Sequence, residues 1–371
     1  MLKKKTITLF LTHKCNLNCV YCYEKYKNDA TMSFELAKNI IDEEFQKSEG
    51  YDYIEIDFFG GEPFLEFELI KKITNYVEIQ RFNIPHGIAV TTNGTLVHGE
   101  IQNWLKEHTH IFQCSLSLDG TKHSHDFNRS NSFDSIDLDF FKETYPNQSV
   151  KMTISNRTLD NLFENVKFVH EKGFSISCNL AYNIDWTDTA NVSILNCELE
   201  KLCEYYLSNP EIKVCSLLDR RIELIGFEKS EIDKDYSIKW CGVCTDMPTY
   251  DVDGKRYPCQ FFAPITLGKE KSQSIQKLVM ERKIHMDLIE GECRTCPVLE
   301  LCPTCYGANF EKNGSVYKKD MDMCALTKAT LKAAAVLKAK QWVAGLLKNK
   351  YSKDEEQALI RGIIKINDMN L

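Results

Sequence analysis

The chain has no apolar run near the roughly eighteen uninterrupted residues that a membrane-spanning helix needs, so no span is expected. It has no basic excess either. Its 46 Lys plus Arg stand against 53 Asp plus Glu, a net charge of −7. That balance excludes the cationic footprint of a general nucleic-acid binder and leaves a basic peptide open as a partner. The opening MLKKKTITLFLTHKC places lysines before an apolar stretch, but the stretch is short and no small-residue cleavage site follows. His13 and Lys14 before Cys15 also lack the small residues of a lipid-attachment site. At 43% hydrophobic and 27% charged over 371 residues, the composition suits one large domain, or a large and a small one, rather than disorder.

Cysteine breaks this ordinariness. Sixteen are too few for a small disulfide scaffold and too many for casual core use. Their clustering points to metal in a reduced, cytosolic protein.

Short alternating strands recur at Thr6–Leu11, Tyr53–Phe58, 88–92, Phe112–Leu118, 150–155 and 174–180. Helical stripes lie between several of them: Leu69, Ile70, Ile73, Tyr76 and Val77, then Leu162, Phe163, Val166 and Val169. Asp160 is placed to cap the second and Gly173 to end it. Strand then helix, repeated about six times, implies a parallel sheet with right-handed crossovers. Flat, doubly covered sheets carry continuous apolar strands. These alternate, so the sheet is expected to curve, with Glu55, Asp57, Gln113, Ser115 and Ser117 facing a lumen. The fold class is therefore α/β, a partial (β/α)6 TIM-like barrel. A small cysteine-rich C-terminal domain and terminal helices follow it. The expected divisions are 1–210 (barrel), 211–237 (helical linker, with a helix near 219–227), 238–324 (cysteine-rich domain) and 325–371 (helices). The acid-free stretch 325–350, with six lysines, reads as a solvated helix face.

Cys15, Cys19 and Cys22 follow the first strand in the spacing C-x3-C-x2-C. A structural zinc site wants four ligands, and no fourth follows nearby. Three thiolates on one loop suit a four-iron cluster with one iron open. With these residues the chain resembles the radical S-adenosylmethionine (radical SAM) superfamily over residues 5–180. Tyr21 stands just before the last Cys, Gly60-Gly61-Glu62-Pro63 follows the second strand, and Thr92-Asn93-Gly94 ends the third. Ser117-Leu118-Asp119-Gly120 ends the fourth, with Arg129 downstream. The resemblance implies that Tyr21, Gly60, Gly61, Glu62, Thr92, Asn93, Ser117 and Arg129 bind the cofactor. Glu62 would take the methionine amino group, with Ser117 and Arg129 near its carboxylate. It further implies reductive cleavage of S-adenosylmethionine to a 5′-deoxyadenosyl radical that abstracts hydrogen.

Eight more cysteines lie from Cys241 to Cys324. Tyr250 and Val252 before Asp253-Gly254, and Arg256 and Tyr257 after, read as a tight hairpin that folds Cys259 back toward Cys244. Two zinc ribbons use the same number of thiols. The order is similar to the SPASM extension of the superfamily, although Cys305 comes one residue early and Cys324 follows after eighteen. That resemblance implies two auxiliary [4Fe-4S] clusters beside the one that binds S-adenosylmethionine. Cys241, Cys244, Cys259 and Cys305 would hold one, and Cys293, Cys296, Cys302 and Cys324 the other. Of the remaining five, Cys114 and Cys178 read as buried hydrophobes, while Cys197, Cys203 and Cys215 lie in or near helices. Any of these is a candidate hydrogen donor.

Relatives with this extension modify ribosomal peptides, which implies a precursor-peptide substrate and a reductant such as flavodoxin or ferredoxin. The leading expectation is a thioether or carbon–carbon cross-link, followed by epimerisation or sulfatase-type protein oxidation. Sulfatase maturases carry an Asp base just after the hairpin cysteine. Here Gln260 stands there and cannot take a proton at working pH. With the first strand near Thr6, no winged-helix leader domain is expected ahead of the barrel, so a separate leader-binding protein is a possible partner. A non-catalytic electron carrier is the alternative of another class. It would need neither Glu62, Ser117 nor Arg129.

Overall fold

The computed structural model describes residues 3–182, 184–227, 241–278 and 289–369. The first strands and helices are β1 (Lys4–Thr12), α1 (Phe34–Gln46), β2 (Tyr53–Gly60), α2 (Phe67–Ile79), β3 (His86–Thr92), α3 (Glu100–Glu107) and β4 (Phe112–Leu116). Next come α4 (Lys122–Asn128), α5 (Leu138–Thr144), β5 (Ser149–Ile154), α6 (Leu162–Glu171), β6 (Ser175–Leu180) and α7 (Ala190–Ser208). The hairpin β7 (Thr249–Tyr250) and β8 (Arg256–Tyr257) precedes α8 (Pro264–Leu267), α9 (Lys269–Ile275), α10 (Tyr306–Asn313), α11 (Cys324–Val343) and α12 (Lys353–Asn367). The chain divides into two compact units. One comprises 1–118, 125–151 and 242–281, and the other 119–124, 152–241 and 282–371.

In the first unit, β4, β3, β2 and β1 lie side by side in parallel, as strands joined by helical crossovers do. β7 adds in parallel to β1, and β8 returns antiparallel. A single parallel bridge, Ser117 to Lys151, links the end of β4 to β5. β5 and β6 form their own ladder.

The expected polar phase is present along β2 and β4. Thr8 Oγ1 meets Asp57, and Gln148 joins Ser115 to Gln113. Burial, reinforced by nearby Glu55, pushes the Asp57 carboxyl up to about 7. The phase changes character at the strand ends. There Phe10 and Phe59 replace the polar residues and pack with Val252, Ala263 and Ile265. The segment around the hairpin thus covers this end with apolar side chains, and both phases of β1 from Ile7 to Thr12 are buried.

One buried ion pair fastens the same unit. Lys5 Nζ lies 2.7 Å from Glu44, which also accepts from Tyr250 OH at 2.6 Å. Burial pushes the Glu44 carboxyl up, but these bonds outweigh it and hold it below its usual range. Its contribution is therefore present above the unfolded carboxylate pKa and lost as pH falls through the lower folded value. Glu44→Ala leaves Lys5 buried without its partner and should cost about 3–5 kcal/mol. Urea unfolding at neutral pH checks this, and the deficit relative to wild type should shrink in acid.

In the second unit, α6 starts differently from expectation. Asp160 lies in a 3-10 turn (Leu159–Asn161) and accepts from Asn161 Nδ2 instead of capping the helix. The Phe163 N–H bonds instead to buried Glu198 of α7, at 2.8 Å. Gly173 ends the helix region with φ +87°, as expected. The linker helix expected near 219–227 is only a 3-10 turn, Ile222–Ile225, and 228–237 lie outside the described residues. This turn is pressed on α12. A Cβ on Gly226 would stand 1.7 Å from the Ala358 carbonyl, and Lys365 Nζ donates to the Ile225 carbonyl. α11 buries Leu326, Leu331, Ala334 and Leu337 against its neighbours, while none of the six lysines of 325–350 is buried.

Candidate active site

The sequence Cys15 to Cys22 leaves the C-terminal end of β1 without regular structure, and its neighbours hold it in place. Gly61 N–H donates to the Thr12 carbonyl and Glu62 N–H to that of Lys14. Val20 N–H bonds the Asn128 carbonyl, and Asn18 N–H bonds Ser130 Oγ at 3.0 Å. Asn16 donates to Thr95 and accepts from Asn93. The Arg129 guanidinium lies over the Tyr21 ring, 5.4 Å from its centroid. Four separated motifs thus converge on one loop: the cysteines, the double glycine, Thr92-Asn93 and Arg129.

The double glycine has a steric reason. Gly60 has φ +123°, and a Cβ there would stand 2.1 Å from the Thr12 carbonyl oxygen. At Gly61 it would stand 2.0 Å from the Lys14 oxygen and 2.9 Å from Cys15 Cβ. Both obstacles include backbone, which cannot rotate aside. Gly61→Ala should lower stability by about 1–3 kcal/mol or more. A reduced urea midpoint, together with poorer iron uptake by this loop, checks it.

Glu62 is only 1% exposed. Its Oε1 accepts from Phe64 N–H at 3.1 Å and Thr92 Oγ1 at 2.8 Å, and its Oε2 from Asn93 N–H at 2.8 Å. Burial raises its pKa against these donors and the field of Arg129. Among the described residues no cation is hydrogen-bonded to it. A buried carboxylate is ordinarily matched by a positive charge, and a ligand ammonium fits this position. Ser117 ties to Thr92 through its backbone N–H, 2.9 Å from the Thr92 carbonyl, while its hydroxyl makes no hydrogen bond to another described residue. No bond joins Ser117 to Arg129. The donor set therefore fits S-adenosylmethionine at its amine, with the Ser117 hydroxyl open to its carboxylate.

Two further side chains, Lys27 and His13, surround the loop. Lys27 donates to the Leu17 carbonyl at 3.1 Å and lies near all three thiols. Burial pushes the Cys15 thiol up to about 11 and raises that of Cys22, so a metal-free loop keeps these neutral. The ring nitrogens of His13 face Asp251 Oδ1 at 2.6 Å and Asn28 Oδ1 at 3.3 Å. That engagement leaves His13 no nitrogen for a metal. Lysine or histidine beside a cysteine motif carries no spacing signature, so neither role was readable.

The remaining candidate ligands fall into groups. The hairpin forms as expected, with Gly254 at φ +77° and the Cys244 N–H bonded to the Pro258 carbonyl, beside Cys259. In the second unit, Cys305 caps α10 and lies close to Cys241; burial pushes its thiol up to about 11. Cys293, Cys296, Cys302 and Cys324 line one cavity of about 60 Å³, which Cys305 also lines, and Lys319 donates to Cys302 Sγ at 3.0 Å. Among the described residues no three His, Cys, Asp or Glu side chains are gathered for a single ion. Cys114, Cys178, Cys203 and Cys215 are buried, and Cys197 is exposed. The Cys178 thiol donates to Cys215, lowering the latter to about 7. Gln260 has its side-chain oxygen buried without a partner.

Residues 9–189 match the Radical SAM superfamily. The chain is 23% identical over 327 residues to a cysteine-type anaerobic sulfatase-maturating enzyme of Clostridium perfringens, covering 78% of this chain and 84% of that one. It is 26% identical over 363 residues to a radical SAM cyclopropyl synthase of Paramaledivibacter caminithermalis, covering 88% and 73%. The solved structure of anSMEcpe with bound AdoMet and a Cp18Cys peptide superimposes with TM-score 0.69 at 19% identity, covering 93% of this chain and 100% of that one. The chain belongs to the radical SAM superfamily of enzymes and has the α/β partial-barrel fold. A [4Fe-4S] cluster and S-adenosylmethionine are the cofactors that membership implies. Among the described residues no helix is long and apolar enough to cross a membrane.

Proposed function

We propose that this enzyme modifies a ribosomally made peptide, forming a thioether or carbon–carbon cross-link. The observation that carries the reading is Glu62, a buried carboxylate held by three donors, awaiting a cation beside a loop of three cysteines. Cys15, Cys19 and Cys22 would hold the cluster, and Glu62, Ser117 and Arg129 would orient S-adenosylmethionine. When bound, these groups supply the hydrogen-abstracting chemistry. The chain's own part is to fix the cofactor's amine and carboxylate, to place Lys27 beside the thiols and to exclude water from Glu62.

The cysteines from Cys241 to Cys324 would serve two auxiliary clusters. The cavity lined by Cys293, Cys296, Cys302 and Cys324, with Cys305 at the same cavity, supports the second of these. Full thiolate ligation suits electron relay, with an external flavodoxin or ferredoxin as source. The peptide-bound neighbour and the cyclopropyl synthase relative support a peptide substrate and bond formation. Gln260 weighs against proton abstraction of the sulfatase type, because an amide accepts a hydrogen bond but removes no proton.

The test is incubation of the reduced enzyme and S-adenosylmethionine with small peptides encoded beside its gene. Loss of two hydrogens in mass supports a cross-link. Unchanged mass with deuterium uptake from solvent indicates epimerisation instead. S-Adenosylmethionine consumed with every peptide unaltered would overturn the peptide reading.

A further inference from the structure

The second unit contains a polar cavity that the site above does not use. It measures about 180 Å³ and opens at the C-terminal end of β6, lined by Asn179, Tyr182, Leu217, Arg220, Thr327 and Thr330 among others. No cysteine lines it, although Tyr182, Pro303, Met323 and Thr327 also line the adjoining cavity of the candidate cluster cysteines. Arg220 supplies its cation. The Arg220 Nε donates to the Leu217 carbonyl at 3.1 Å, which orients the guanidinium and leaves its terminal nitrogens available. Arg220 forms no ion pair with any described carboxylate, and burial pulls its pKa below the ordinary range. The Tyr182 hydroxyl, the Asn179 amide and the Thr327 hydroxyl likewise make no hydrogen bond to another described residue. The Thr330 hydroxyl is already committed to the Leu326 carbonyl.

Asp219 and the thiols of Cys178, Cys215 and Cys302 act on this arginine from a distance, but no carboxylate is ion-paired to it, and with three neutral polar groups near it, it forms half of a recognition site. The planar fork of a guanidinium matches a carboxylate through two parallel N–H···O bonds. One cation with neutral donors suits a single negative charge better than a dianion such as phosphate. We propose that this cavity binds a carboxylate of the peptide substrate, with Arg220 as its counterion and Tyr182 and Asn179 as additional donors. That the carboxylate is a peptide's rests on the function proposed above; the anion site itself does not. A glutamate or aspartate side chain and a peptide C-terminus offer the same group, and the test separates them.

The full reconstituted chain is treated with phenylglyoxal, and modification of Arg220 is followed by peptide mapping. Two probes compete: N-acetylglutamyl amide, with only a side-chain carboxylate, and N-acetylglycylglycine, with only a terminal one. Their amide counterparts are the controls. Protection of Arg220 by one carboxylate probe and not by its amide supports the site and names the source. Tyr182→Phe should weaken protection severalfold. In an equilibrium-dialysis measurement with the protecting probe, Arg220→Gln should reduce affinity by about tenfold or more, and Arg220→Lys should restore part of it. Equal behaviour of acid and amide overturns the proposal. So does an Arg220→Gln variant with unchanged affinity but a shifted cluster potential, which would assign the arginine to the neighbouring thiolates. S-Adenosylmethionine cleavage is measured on the same preparations. Cleavage without probe binding sinks only this inference, and probe binding without cleavage sinks only the proposed function.

Discussion

A Cys19→Ala variant should cleave no detectable S-adenosylmethionine while remaining folded and rich in iron. The loop has three thiols, and its basic neighbours do not replace one: both nitrogens of His13 are engaged with Asp251 and Asn28, and Lys27 is a donor without a free lone pair when charged. Two thiolates do not hold a four-iron cluster with one iron open. The other candidate ligands are remote in sequence and remain intact, so about eight of about twelve irons should persist if two auxiliary clusters are present. Anaerobic reconstitution with iron and sulfide quantitation, followed by chromatographic assay of 5′-deoxyadenosine, reads both halves. Residual cleavage near the wild-type rate would move the cofactor cluster elsewhere.

Glu62→Gln should raise the dissociation constant for S-adenosylmethionine by about 100-fold or more. Two losses add. The charge that faces the ligand ammonium disappears, and truncating one partner of a buried charge pair costs about 2–5 kcal/mol. Glutamine also replaces one acceptor oxygen by an NH2 group. Whichever way the amide is turned, that NH2 points at a backbone N–H, of Asn93 on one side or Phe64 on the other. One donor is then left unpaired inside the protein, at about 1–3 kcal/mol. Equilibrium dialysis against the reconstituted variant gives the constant directly. A change below about threefold would show that Glu62 carries no ligand cation.

The strand positions and the motif turns were legible because each rests on local chemistry. Alternation marks β1 to β6, and the double glycine, Thr92-Asn93 and Asp253-Gly254 are short patterns with a backbone reason behind them. What escaped reading depends on contacts between distant residues. Asp160 has the right type and position for a cap, but Glu198, some thirty-eight residues on, reaches the helix start instead. Phe10 and Phe59 sit in a phase read as polar, and only the packing of Ala263 and Ile265 explains them. The ring of contacts made by Asn16, Lys27 and Arg129 around the cysteine loop has no spacing rule. α1 was readable in principle: Ser33 caps it by accepting from Leu36 N–H, and Ala37, Ile40, Ile41 and Phe45 form its buried stripe. The Arg220 cavity is built from four separate stretches, and no motif announces it.

The most direct trial of the central claim is electron paramagnetic resonance of the reduced, reconstituted enzyme before and after S-adenosylmethionine is added. The account predicts that one cluster signal changes shape on addition, because the ligand binds at its vacant iron. That responsive signal should be missing in Cys15→Ala. A spectrum unaffected by S-adenosylmethionine in the wild-type protein would contradict it.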